Sequence, residues 1–164
     1  MKQFEVIYEA NKELDKLFAN DYDFKDKDIF IKNILELLVE LGELANESRC
    51  FKYWSKKGPS SKDVILDEYA DCVLMALAFA ADLNVSLDEP FEKPVSRAIN
   101  EQFIYLYQVC SILGNNYNKE TIKNILTNLI YLGELLKFSE QDIIEGCLNK
   151  INRNKKRLEK FFVD

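Results

Sequence analysis

The chain contains no histidine. That absence excludes His/Cys zinc sites and every catalytic arrangement that uses imidazole as base or ligand. The four cysteines, Cys50, Cys72, Cys110 and Cys147, are widely spaced and form no C-x-x-C pair, so they read as small core residues. Glycine and proline are scarce, five and three among 164 residues, which disfavours a turn-rich all-β fold. Long apolar runs are missing as well. The longest, Cys72 to Ala81, is too short to span a bilayer, and Met1-Lys-Gln-Phe-Glu does not open a signal peptide. There is no global basic field either: the formal net charge is −6, so polymeric nucleic acid is not an expected partner. The expectation is a reduced, cytoplasmic, non-membrane protein with one domain over residues 1–164.

What is present points to helices. Hydrophobic residues make up 48% and charged residues 30%, and Leu, Lys, Glu and Ala abound. The 3.6-residue periodicity predicts six helical stretches. The first runs from about Phe4 to Phe18, the second from an N-cap at Asp28 to about Arg49, and the third from an N-cap at Ser61 to about Leu83. The fourth covers about Val95 to Leu113, and the fifth about Lys119 to Lys137. The sixth is capped by Ser139 with Asp142 three residues on. The fold class expected is an all-α bundle of about six helices. A repeat suggests an internal helical-hairpin duplication: Ile34–Leu44 aligns without gaps to Ile125–Leu135 with seven of eleven positions identical, including Leu-Gly-Glu-Leu. Tyr131 replaces Glu40 in the second copy, so acidic chemistry is expected only in the first.

The second helix carries Glu36, Glu40, Glu43 and Glu47 in one narrow stripe opposite its leucines, with Gly42 inside it as a hint of close approach. The third begins Asp67-Glu68-Tyr69-Ala70-Asp71 and continues with ten apolar residues. A helix apolar on all sides is buried on all sides, so Glu68 and Asp71 enter a shielded section where like charges need a partner. Lysines and arginine nearby in sequence are few: Arg49, Lys52, Lys56, Lys57 and Lys62. Glu40 and Glu43 facing Glu68 and Asp71 would make an all-oxygen cluster suited to a hard divalent ion, magnesium before zinc. Such a site on an acidic protein points to phosphate chemistry. The bland alternatives are a solvated stripe on the second helix and carboxylates on an exposed first turn of the third.

These residues resemble the all-α nucleoside triphosphate pyrophosphatase superfamily, whose signature is E-x-x-E followed by E-x-x-D: here Glu40-x-x-Glu43 and Glu68-x-x-Asp71. The string Leu38-Val-Glu-Leu-Gly-Glu-Leu-Ala-Asn-Glu47, followed by Phe51-Lys-Tyr-Trp-Ser55, is similar to the dimeric dUTPases of Gram-positive bacteria and their phages. The resemblance is strongest from Ile34 to Leu77. It implies magnesium-dependent hydrolysis of dUTP to dUMP and pyrophosphate, with two or more ions per site, in a homodimer. Glu40, Glu43, Glu68 and Asp71 would be ligands, and Glu43, with Glu40, catalytic. Asn11 stands where the family has a base-recognising glutamine, four residues before Asp15. Lys150, Asn154 and Arg157 match a Lys, Asn and Arg that contact phosphates and sugar; the same three also read as a solvated basic helix end. The family's Gly-Tyr-containing tail is not found after them. Trp54 reads as a base-stacking residue or as inter-helix packing, and Lys57 lies on a loop from which it can reach phosphate oxygens. Two other readings stay open: a pyrophosphatase for another nucleotide such as dCTP, and a non-catalytic helical module that binds a protein partner.

Overall fold

The computed structural model describes residues 2–17, 24–88 and 94–161, and among these the regular structure is helical throughout. The elements are α1 (Glu5–Leu17, led by a 3-10 turn at Lys2–Phe4), α2 (Lys27–Ser48), α3 (Lys62–Asp82), α4 (Ile99–Ser111), α5 (Lys119–Leu135) and α6 (Glu140–Phe161). The expected all-α bundle of six helices is the fold. Phe18, expected to end the first helix, lies outside the described residues.

Several boundaries differ from the sequence expectation for local reasons. The N-cap of α2 is Asp26 rather than Asp28, because the Asp26 carboxylate accepts from the Asp28 and Ile29 amides at 2.8 and 3.2 Å. Ser61 does precede α3, but its side chain makes no capping bond. Helix α4 starts at Ile99, four residues after the expected Val95. Both the amide and the carbonyl of Arg97 are bound to the Tyr131 hydroxyl at 3.1 Å, which holds the preceding strand of chain extended. The cap expected for α6 is present as a reciprocal box: the Asp142 amide donates to Ser139 Oγ, and the Asp142 carboxylate accepts from the Ser139 amide.

Helices α2, α3, α5 and α4 form a ring in which each packs on the next, while α1 and α6 pack on each other and on the outer side of α3. Thus α3 has neighbours on every side. That arrangement explains its uninterrupted apolar run: Cys72 to Ala80 are all buried, with Tyr69 and Phe79 fully enclosed. One connected core gathers residues from all six helices. No helix among the described residues is long and apolar enough to cross a membrane.

The repeat is visible in space. It extends further back than Leu-Gly-Glu-Leu suggests, since Ile31-Lys-Asn-Ile-Leu35 recurs as Ile122-Lys-Asn-Ile-Leu126. Each copy places its glycine against a tyrosine hydroxyl on a neighbouring helix. A Cβ on Gly42 would lie 2.8 Å from Tyr107 Oη of α4, and one on Gly133 would lie 2.7 Å from Tyr69 Oη of α3. A buried cysteine follows each tyrosine three residues on, Cys110 and Cys72. The likeness therefore matches α2 with α5 and α4 with α3, in reversed chain order rather than as a tandem hairpin. Burial breaks it. Ile122 and Leu126 of α5 are buried, whereas their counterparts Ile31 and Leu35 of α2 are 49% and 61% exposed, and Val39 one turn further is 47% exposed.

Candidate active site

The seam between α2 and α3 is closed by Leu37, Leu41 and Leu44 on one helix and by Tyr69, Cys72 and their neighbours on the other, all buried. The 3.6-residue repeat then sets the positions between these anchors along the rim of the seam. Glu40 of α2 and Glu68 and Asp71 of α3 are brought together there: one carboxylate oxygen from each lies within 4.8 Å of the other two. All three are partly buried.

Their electrostatics follow from that geometry. The Glu40 carboxyl is pushed up to about 7, first by burial and then by the charges of Asp71, Glu43 and Glu68. Burial also raises Glu68, with Glu43 and Asp71 adding to the effect. Asp71 is raised by burial and pulled back by its bond to Lys150. Beneath them, burial drives the Cys72 thiol well above its ordinary value, so the floor of the cluster is apolar and un-ionised. Three crowded carboxylates over an apolar floor repel one another, and a multivalent cation relieves that repulsion. An all-oxygen donor set suits a hard ion, so the residues fit magnesium.

The cation that the chain itself supplies comes from α6 and not from Arg49, Lys52, Lys56, Lys57 or Lys62, the basic residues close in sequence. Lys150 Nζ is hydrogen-bonded to Asp71 Oδ2 and lies 3.0 Å from Asp67 Oδ2, and the lysine side chain is only 12% exposed. Arg153 Nη2 bonds the other oxygen of Asp67. Arg157, one further turn along α6, is close enough for its charge to lower Asp71. Lys62 is engaged elsewhere, 2.7 Å from Asp142.

The remaining sequence candidates fall in three places. Glu43 is exposed beside the cluster and is not among the three converging carboxylates, though its charge reaches all of them. Asn11 is buried on α1, its Nδ2 donating at 3.2 Å both to the Leu74 carbonyl and to Asp15. Leu74 follows Asp71 by three residues, so this polar pair sits one turn along α3 from the cluster, and burial pushes the Asp15 carboxyl up to about 7. Asn154 is half-buried between Lys150 and Arg157. Trp54 does not pack between helices. It is 65% exposed, edge-on to Tyr53 and Phe51 in the loop between α2 and α3. That loop is folded by Arg49, whose guanidinium donates to Ser55 Oγ and the Lys57 carbonyl at 2.6 and 3.1 Å, leaving the Lys57 side chain in solvent.

Two features were not singled out in the sequence. Asp67 receives two α6 cations, and Glu47 is bonded by Ser60 Oγ, tying the loop back to the acidic stripe. The spacing of Asp67, four residues before Asp71, was the available signal for the first.

Compared with known proteins, residues 3–162 match a family model described as dUTPase. No curated protein matches the chain.

Proposed function

The chain belongs to the dUTPase family and is a nucleotide hydrolase acting on dUTP, and from that premise we propose how its residues do the work. The observation that carries the reading is the convergence of Glu40, Glu68 and Asp71 at the rim of the α2–α3 seam. These three would hold magnesium, two or more ions per site, with Glu43 completing the set from the exposed edge. When bound, magnesium neutralises the polyphosphate and acidifies the attacking water. Glu43 is best placed to take the proton, because it stands beside the cluster and open to solvent. Water adds to the α-phosphorus as the bond to the bridging oxygen of the β-phosphoryl group breaks, giving dUMP and pyrophosphate. Lys150 and Arg157, with Asn154 between them, would bind the triphosphate and the leaving pyrophosphate. Lys57, exposed on the loop between α2 and α3, would add a further cation for the phosphates.

Asn11 and Asp15 would meet the base. With its amide nitrogen turned to Leu74 and Asp15, Asn11 has its carbonyl oxygen as the remaining polar atom, an acceptor that the N3–H of uracil matches. Trp54, exposed in a ring of aromatic edges, would cover the base face.

The apolar stripe Ile31, Leu35 and Val39 supports a homodimer. The same stripe in α5 is covered by the chain's own core, whereas on α2 it stands open. An apolar patch of this kind on an acidic protein fits a second copy better than water. The connected core supports one domain over 1–164, and four free cysteines, three of them buried, suit a reducing cytoplasm.

The test is pyrophosphate release from a panel of dUTP, dCTP, dTTP and dATP, with MgCl2 or with EDTA. The reading expects turnover of dUTP well above the others and none with EDTA. Preference for dCTP, or activity indifferent to EDTA, would overturn it.

A further inference from the structure

Asp71 is asked to serve two cations. In the structure its carboxylate holds Lys150, and it is also one of the three groups that converge as cation ligands. A divalent ion drawn into the cluster takes Asp71 and repels the ammonium beside it. A lysine with 12% exposure and no remaining anion would leave the site for solvent. It has another anion. Asp67, one helical turn before Asp71, lies outside the converging trio and binds Lys150 through one oxygen and Arg153 through the other. An exposed carboxylate paired with one lysine would contribute little. A carboxylate bridging two cations three residues apart on one helix, one of them nearly buried, fixes where that helix points its charge.

We propose that Asp67 is a positioning residue that holds Lys150 and Arg153 of α6 at the rim of the acidic cluster, so that Lys150 stays in place for the substrate's phosphates once a divalent cation claims Asp71. This rests on the hydrolase reading for the identity of the phosphates, but not for the anchoring itself. Asp67 would touch neither substrate nor ion. It gives Lys150 an anchor outside the converging trio.

The experiment uses the full chain and Asp67→Asn, which keeps the shape and removes the charge. Amide hydrogen exchange over residues 148–157 is followed with and without MgCl2 and with no nucleotide. In the wild type, MgCl2 leaves α6 as protected as before; in the variant, it speeds exchange there by about tenfold. In the second arm, binding of the non-hydrolysable α,β-imido-dUTP is measured in MgCl2. Asp67→Asn and Lys150→Met each weaken it about tenfold, the double variant is no weaker than Lys150→Met alone, and Asp67→Glu restores most of the affinity. Exchange in Asp67→Asn that ignores MgCl2, or losses that multiply in the double variant, would overturn the proposal. If the wild type fails to hydrolyse dUTP, the substrate reading falls while the nucleotide-free arm still decides the role of Asp67.

Discussion

Helices α2 and α5 share Leu-Gly-Glu-Leu and a glycine packed against a tyrosine hydroxyl, yet among the described residues only α2 contributes to a carboxylate cluster. At the position of Glu40, α5 has Tyr131, whose hydroxyl is bonded to the Arg97 backbone and to Ser96. At the position of Glu43 it has Glu134, exposed and outside the group of Glu40, Glu68 and Asp71. The helices facing them diverge in the same way: α3 sets Glu68 and Asp71 around Tyr69, while α4 sets Leu106 and Val109 around Tyr107. One packing scheme thus supports a charged rim in one half and an ordinary structural joint in the other. The difference lies in a few rim residues and not in the backbone.

The largest effect expected from breaking this comparison is catalytic. Glu40→Gln or Asp71→Asn should lower kcat for dUTP by roughly a thousandfold while the circular dichroism spectrum stays helical, whereas Glu134→Gln should leave steady-state kinetics unchanged. A metal-dependent defect in Glu134→Gln would mean that the two halves have been assigned the wrong way round.

Next is assembly. Leu35→Glu, on the open α2 stripe, should weaken self-association by about a hundredfold in sedimentation while the monomer remains folded. Leu126→Glu, at the matching α5 position with 3% exposure, should instead unfold the chain. Equal sedimentation of Leu35→Glu and wild type would remove α2 from the interface.

The glycines sharpen the comparison further. Gly133→Ala forces a methyl group against Tyr69, which is fully buried, hydrogen-bonded to the Leu129 carbonyl at 2.9 Å and unable to retreat. Denaturant melts should show a loss of about 2 kcal/mol. Gly42→Ala meets only the hydroxyl end of the half-buried Tyr107, and the helix gains from alanine, so the net change should stay within about 1 kcal/mol.

The last comparison is the pH dependence. A folded carboxyl pKa raised from 4.5 to about 7, as at Glu40, means that the folded state holds its proton more tightly than the unfolded chain does. Stability of the metal-free protein therefore falls as pH rises through that window, and the raised pKa of Asp15 acts in the same direction. Metal binding runs the opposite way, since the ion must displace the proton. The rise in Tm produced by MgCl2 should grow from pH 5.5 to pH 8, and a shift independent of pH would place the ion elsewhere.

How much of this was legible in the sequence varies with the range of the interaction responsible. Helix periodicity is local, so six helices could be read, and the run after Asp71 announced a helix with neighbours on every side. The two acid pairs were legible because their spacing alone places each pair on one face. The α6 ammonium on Asp71 was not, since it joins residues 79 apart in the chain. Asp26 and Asp28 are both sound caps on paper, and only the backbone at the start of α2 decides between them. The exposure of Ile31, Leu35 and Val39 was not legible, because apolar residues at four-residue spacing do not announce whether anything covers them. That this stripe stands open while its twin in α5 is covered is a fact of tertiary packing.

Crystals grown with MnCl2 in place of magnesium would test the central claim most directly, through the anomalous difference map. The account predicts a peak among Glu40, Glu68 and Asp71, about 2.0–2.3 Å from their carboxylate oxygens, with Lys150 still on Asp67. A map with manganese elsewhere, or with Lys150 still bound to Asp71 and no peak between the helices, would contradict it.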